Sequence, residues 1–372
     1  MAHVIIGSET VPLGRTGLRV TRLGLGTAPL GWLPEGQEET GRDIVRGAAG
    51  LGLRLLDTAP AYGRGESERR LGQVLADLPS SMVISTKVGK VLEAGALGPR
   101  VQQILANAVT GGPAGVLRLS QKAARALHRT TARGPKPGFI PPTVRGDYSY
   151  DGVLRSIEGS LARIGSDRLD IVLIHDPDDH VDEAMAGAYR ALDRLRSEGT
   201  ITAVGVGTNH WQPLLRFAEE GDFDCFLLAG RYSLLDQEAA DHLLPMAHAR
   251  GIAIIIGGVF NGGILAAPRQ GAEYDYAPAS SARVAQALRI KEVCDRHGVD
   301  LKAAALQFPF GHPAVTSVLV GVASLAELKE DERLLRSTVP AALWAELRDV
   351  GLLAATAATP TAPPSVSGPL PG

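Results

Sequence analysis

The sequence predicts a (β/α)8 barrel of the TIM type, with an N-terminal β-hairpin, a long insertion after strand 3 and an extra C-terminal helix. Eight short apolar runs alternate with segments of helical period, and strict alternation of that kind makes a parallel sheet. Three of the runs end in a titratable side chain: Leu55-Leu56-Asp57, Val83-Ile84-Ser85-Thr86-Lys87 and Ile171-Val172-Leu173-Ile174-His175. In a parallel barrel the C-terminal strand ends form the catalytic face. No Gly-x-Gly-x-x-Gly opens a helix after the first run, since Gly24 and Gly26 lack a third glycine. A doubly wound dinucleotide fold is therefore disfavoured.

Composition narrows the function. A chain of 372 residues suits one barrel with an insertion. The net charge of -2 argues against a general nucleic-acid binder. Cys225 and Cys294 are the only cysteines, so a reducing compartment fits better than a disulfide framework. No apolar run approaches the ~20 residues of a membrane helix, and the first residues lack the pattern of a signal peptide. A cytoplasmic protein with a small-molecule substrate, and no nucleic-acid or membrane partner, is expected.

The elements follow in order. Residues 11–22 alternate around Gly14 and Gly17, as a hairpin does. Leu23–Gly26 reads as the first strand. Glu38–Leu51 has Ile44, Val45, Ala48 and Leu51 on one helical side. Strand Leu53–Asp57, helix Ser67–Leu78 and strand Met82–Lys87 come next. Residues 91–146 break the rhythm, with prolines, glycines, a helical piece at 117–128 and an excess of positive charge. Eight basic residues (Arg100, Arg118, Lys122, Arg125, Arg129, Arg133, Lys136, Arg145) face the single acid Glu93. A connection this long is either solvated excursion or functional cover.

Order resumes with helix Tyr150–Ile164, strand Leu169–His175, helix Val181–Glu198 and strand Ala203–Gly207. Helix Trp211–Glu219, strand Asp224–Leu228, helix Gln237–Arg250 and strand Ile252–Ile256 continue the pattern. Helices Ser281–His297 and Leu301–Phe308 precede the last strand, Val315–Val320, and the last barrel helix, Leu325–Leu335. Pro340–Leu353 adds the extra helix. A single domain over 11–355 results, and 356–372, rich in Pro, Thr, Ala, Ser and Gly, reads as a disordered tail.

Tyr62, five residues beyond Asp57, joins Asp57, Lys87 and His175 in one chemical set. A free phenol titrates near pKa ~10, too high for easy proton exchange at neutral pH. A nearby ammonium favours phenolate, so Lys87 can tune Tyr62 while Asp57 holds Lys87. His175 can donate to a substrate oxygen. The set suits proton transfer at a carbonyl or hydroxyl oxygen. It offers no nucleophile with an adjacent base, which argues against acyl transfer. The run His175-Asp176-Pro177-Asp178-Asp179-His180 matches no metal-ligand spacing, and no metal is expected; Asp178 and Asp179 are expected to cap the helix near Val181.

Several ordered segments then resemble the aldo-keto reductases: LGRTGLRVTRLGLGT, LLDTAPAYGRGESERRLG, STKVG, RIGSDRLDIVLIHDP, LRSEGTITAVGVGTN, RYSLLDQ and VTSVLVG. The resemblance implies that Tyr62 is the general acid/base, tuned by Lys87 and Asp57, and that His175 orients substrate. It implies a nicotinamide dinucleotide lying extended across the barrel mouth, with Thr208 and Asn209 at the carboxamide. The other cofactor positions it marks are Gly26, Thr27, Gly257, Gly258, Phe260, Asn261, Gly321, Ser324, Glu327, Lys329 and Asp331. Where many members that use NADP place an arginine for the 2′-phosphate, this chain has Ala323, with Lys329 as the nearest cation on the helix. That difference favours NAD over NADP. Asp331 stands where an asparagine often meets adenine.

HDPDDH, EGDFDCFLLAGRYSLLDQ and GGVFNGGILA resemble the sugar dehydrogenases of the L-fucose (D-threo-aldose) and L-galactose type, with pyridoxal dehydrogenase in the same neighbourhood. The implied reaction is oxidation of the anomeric hydroxyl of an aldose to a lactone, by a monomer or homodimer. A carbonyl reductase on another aldehyde or ketone, and a cofactor-sensing regulatory subunit, are the alternatives.

Overall fold

Eight parallel strands close into a barrel in the computed structural model, which describes residues 4–93, 143–275 and 277–360. In chain order they are β1 (Leu23–Gly26), β2 (Leu55–Asp57), β3 (Val83–Val88), β4 (Ile171–His175), β5 (Ala203–Thr208), β6 (Cys225–Ala229), β7 (Ala253–Gly257) and β8 (Val315–Val320). Each pairs with its sequence neighbours and β8 closes on β1 through Val318, Leu319 and Val320.

The strands are buried on both faces, and alternation sorts their side chains between two cores. Leu55, Val83, Ile171, Leu173, Ala203, Cys225, Leu227, Ala253, Ile255 and Leu319 fill the barrel interior. Leu56, Ile84, Val172, Ile174, Val204, Val206, Phe226, Leu228, Ile254 and Ile256 face the surrounding helices. The hairpin Thr10–Pro12/Arg19–Thr21 plugs the N-terminal end, contributing Leu13 and Val20 to the interior core. Glycines make room where the interior is crowded: a Cβ on Gly205 would lie 2.3 Å from the Cys225 carbonyl oxygen. The same alternation carries Asp57, Lys87 and His175 inward, one layer above the apolar plug.

Helix Tyr150–Ile164 is capped by Ser149, whose hydroxyl accepts from the Gly152 amide at 3.1 Å, and ends at Gly165 in the left-handed region. The helix expected over 67–78 is shorter. It spans Glu66–Gly72, with a single 3-10 turn at Leu75–Asp77. Gly72 presses against helix Tyr150–Ile164, where a Cβ would come 2.4 Å from the Ile164 oxygen, and that close approach ends the regular run. The helix expected over 181–198 contains a π segment at Ala184–Tyr189 between Val181–Glu183 and Arg190–Ser197. Gly187 within it abuts the Tyr148 carbonyl, leaving no room for a Cβ.

The insertion after strand 3 begins and ends as a two-stranded antiparallel ribbon, Lys90–Glu93 against Thr143–Gly146. Its expected helical piece at 117–128 lies outside the described residues. The extra C-terminal helix is Ala341–Asp349. Residues 356–360, expected within a disordered tail, are seated on the domain. The Arg348 guanidinium donates to the Ala357 oxygen and the Thr359 hydroxyl, and the Thr356 hydroxyl donates to Asp241. Residues 361–372 of that expected tail lie outside the described residues. Among the described residues no helix is long and apolar enough to cross a membrane.

Candidate active site

The C-terminal ends of β2, β3 and β4 bring three side chains into one buried cluster. Lys87 Nζ donates to Asp57 Oδ2 at 2.6 Å and to the Thr58 carbonyl at 2.9 Å. The Ser85 hydroxyl donates to Asp57 Oδ1 at 2.8 Å, so both carboxylate oxygens are engaged. Asp57 and Lys87 are 3% and 1% exposed. An ion pair this deep needs such complete satisfaction, because each charge has lost its hydration. Gly207 of β5 lies alongside the lysine stem, where a Cβ would sit in ordinary contact, 3.6 Å from Lys87 Cε.

Tyr62 arrives from the loop after β2. Gly63, Arg64 and Gly65 all have positive φ (57°, 56° and 90°), which folds the loop back over the barrel mouth. Gly63 packs backbone to backbone on Gly31, and no Cβ fits at either. These contacts fix the phenol beside the lysine: Lys87 Nζ lies 4.8 Å from the Tyr62 ring centre. The His175 ring meets Tyr62 edge to face, with centroids 5.8 Å apart. All four residues expected to share the site are therefore adjacent.

The electrostatics are opposed within this cluster. Burial pulls the Lys87 ammonium down, but the charge of Asp57 and the neighbouring Tyr62 oxygen outweigh it and hold its pKa above the ordinary lysine value. His175 is pulled down to about 3, by burial first and then by the charges of Lys87 and Lys90, with Asp176 acting in the other direction. At neutral pH the imidazole carries one proton. Its Nδ1 is buried and has no hydrogen-bond partner among the described residues, and its Nε2 lies 3.7 Å from Asp176 Oδ2. A buried N–H without a partner costs more than a buried acceptor without one, so the proton is placed on Nε2, which faces the carboxylate.

The depressed histidine has a stability consequence. Below its ordinary pKa of 6.5 the unfolded chain takes up a proton that the folded site refuses until about pH 3. The contribution of His175 is complete above pH 6.5 and is lost as pH falls, on the order of 3 kcal/mol by pH 4. Urea unfolding between pH 7 and 4 should show His175→Asn with a flatter pH dependence than the parent. Equal slopes in the two proteins would contradict the assignment.

The remaining expected positions divide into two groups. Gly26, Gly257, Gly258 and Gly321 leave a strip without side chains along the ends of β1, β7 and β8, with Gly258 at φ +63°. Asn209, just beyond β5, and Phe260, in the loop after β7, are half-buried. Ser324 caps helix Leu325–Leu335, accepting from the Glu327 amide, and Glu327 Oε2 accepts from the Ala323 amide at 2.8 Å. Lys329 is exposed on the same helix.

Others are turned to internal duties. The Thr27 hydroxyl donates to the Asp57 carbonyl at 2.9 Å and also meets the Ser67 hydroxyl. Asn261, at φ 47°, donates to the Gly230 carbonyl at 2.9 Å. Asp331 is 2% exposed and pairs with Lys302 at 3.0 Å, so it is not presented to a ligand at the surface.

Two features were not foreseen. Asp178 does not cap the following helix, whose preceding residue His180 makes no side-chain cap. It accepts from the Thr208 hydroxyl at 2.5 Å and contacts His210 Nδ1 at 3.2 Å, tying β4 to β5. Lys302 bridges Glu330 and Asp331 while lying 5.5 Å from the centre of the Phe260 ring. Neither contact has a local sequence signal, because the partners are far apart in the chain.

A parallel barrel with a buried lysine–carboxylate pair, a tyrosine above it and a neutral histidine beside it defines a class of proton-transferring barrel enzymes. Residues 22–350 match the model of the Aldo/keto reductase family, and the chain belongs to that family. It is thereby an oxidoreductase that works with a nicotinamide dinucleotide. It is 39% identical over 362 residues to pyridoxal 4-dehydrogenase from Microbacterium luteolum, spanning 93% of this chain and 98% of that one. It is 34% identical over 355 residues to D-threo-aldose 1-dehydrogenase from a Pseudomonas species, spanning 93% and 99%. The fold is shared with the glycerol dehydrogenase of Gluconobacter oxydans, at a TM-score of 0.66 and 19% identity over 96% of this chain and 99% of that one.

Proposed function

We propose that the protein oxidises the anomeric hydroxyl of an aldose to a lactone, using NAD. The observation that carries this reading is the contact of Tyr62 with the buried Lys87–Asp57 pair, next to the neutral His175. The Pseudomonas relative, named for aldose 1-dehydrogenation, supplies the substrate class.

In this reading Tyr62 Oη removes the proton of the substrate hydroxyl. Lys87 stays charged, because Asp57 stabilises it, and its ammonium stabilises the negative oxygen left on Tyr62 between turnovers. Asp57, with both oxygens engaged, keeps Lys87 from following the proton. His175 Nε2–H donates to the reacting oxygen and fixes which lone pair faces Tyr62. A nicotinamide ring held at the barrel mouth would supply the acceptor for the hydride lost from the carbon that bears this hydroxyl. In the reverse direction Tyr62 is the acid, by microscopic reversibility.

The residues present fit the dinucleotide. The glycine strip at Gly26, Gly257, Gly258 and Gly321 gives an extended ligand close approach to the backbone. Glu327 Oε2 accepts from the Ala323 amide; a carboxylate there would repel a 2′-phosphate and accept from a free ribose hydroxyl. That contact supports NAD. The purified protein should raise the reduced-nicotinamide absorbance with NAD and at least one of L-fucose, D-arabinose or L-galactose, and do so less readily with NADP. Binding of NAD without oxidation of any aldose would remove the substrate assignment; preference for NADP would remove the role of Glu327.

A further inference from the structure

We propose that Asp176 and Lys90 form a hydroxyl subsite beside His175, recognising the hydroxyl on the carbon next to the reacting one. The inference rests on the aldose reading above and extends it to a substrate class: a sugar bearing a vicinal hydroxyl, in preference to a deoxy or anionic compound.

Lys90 Nζ donates to Asp176 Oδ2 at 2.5 Å, and the two side chains are 31% and 33% exposed. They differ in this from the buried Lys87–Asp57 pair one layer below. Asp176 is held in a costly backbone conformation, φ 41°, by contacts on every side. Its amide donates to the Gly207 carbonyl at 2.8 Å. Its carbonyl accepts from the Tyr148 hydroxyl at 2.7 Å, and the same hydroxyl donates to the His175 carbonyl at 2.8 Å. The Tyr148 ring is stacked on His180 and presses on Gly89, where φ is +91° and a Cβ would lie 2.3 Å from the ring. One tyrosine thus sets the position of Asp176 and of the turn that delivers Lys90. A surface ion pair needs no such fixing.

The 3.7 Å between His175 Nε2 and Asp176 Oδ2 is too long for a hydrogen bond. It leaves Nε2–H for the reacting oxygen, and Oδ2, which accepts from Lys90, keeps a second lone pair for a donor one atom further along the substrate. A hydroxyl there donates to Asp176 and accepts from Lys90. A hydrogen in its place offers neither group a partner and removes their water, which is the condition for strong discrimination. A phosphate at that point meets the carboxylate and is disfavoured, because Asp176 already neutralises Lys90.

The test compares the best aldose of the panel with its 2-deoxy analogue, using NAD, in the parent, Asp176→Asn and Lys90→Met. Asparagine tolerates the left-handed backbone, and thermal melting checks that each variant is folded. The parent should favour the 2-hydroxy sugar in kcat/KM by about 10- to 100-fold. Either folded variant should lose most of that preference through a raised KM for the hydroxylated sugar, with a smaller loss on the 2-deoxy sugar. Retained preference, or equal losses on both sugars with a moved pH profile, would overturn the subsite and leave Asp176 acting on His175 alone. A parent that oxidises neither sugar would overturn the aldose reading, and the subsite with it.

Discussion

Replacing Tyr62 with phenylalanine should cut kcat/KM by roughly 10³-fold and leave NAD binding within about threefold of the parent, a difference below 1 kcal/mol. The ring stays, together with its edge-to-face contact with His175 and its packing near Lys87. Only the oxygen that carries the proton is lost. The loop that presents it is shaped by Gly31, Gly63 and Gly65, none of which the substitution touches. Stability should therefore change little. Fluorescence titration of NAD beside steady-state rates separates the two properties. A variant that keeps its turnover would show that another group moves the proton, and one that loses NAD binding would show that the phenol holds the ligand instead.

The second large effect falls on Lys87 and acts on folding and chemistry together. Lys87→Met removes the cation from a pair that is almost wholly buried, leaving the Asp57 carboxylate with the Ser85 hydroxyl as its remaining side-chain partner. Stranding one member of a buried pair costs about 3–5 kcal/mol. Turnover should fall by about 10²- to 10⁴-fold, because Tyr62 loses the charge that favours its phenolate. The double variant Asp57→Asn/Lys87→Met distinguishes the two consequences. With no uncompensated carboxylate left, denaturant unfolding should recover most of the lost stability, while turnover stays low. Additive destabilisation in the double variant would mean that the two residues are not energetically coupled.

The barrel, and the side chains that cluster at its mouth, were legible in the sequence for a local reason. Alternation along a strand needs no knowledge of the partner, so the inward direction of Asp57, Lys87 and His175 follows from the spacing of Leu55, Val83, Ser85, Ile171 and Leu173. Tyr62 was legible from its place five residues beyond the strand-end Asp57. What was illegible depends on distant partners. Asp178 looked like a helix cap from its neighbours, but the Thr208 hydroxyl on the next strand claims it. Asp331 looked available, but Lys302 of another helix buries it. The tail residues 356–360 have a composition typical of disorder, yet Arg348 and Asp241 hold them. The short ribbon at Lys90–Glu93 and Thr143–Gly146 joins segments about fifty positions apart, and no periodicity reports such a pairing.

Hydride transfer from the anomeric carbon is the central claim, and an isotope label tests it most directly. The protein would be incubated with NAD and an aldose carrying deuterium at C1, and the reduced cofactor examined by mass spectrometry. The account predicts one deuterium in the nicotinamide ring of the NADH formed, with lactone as the sugar product and neither seen with Tyr62→Phe on the same timescale. NADH without deuterium, or label transferred equally fast by the Tyr62→Phe protein, would contradict it.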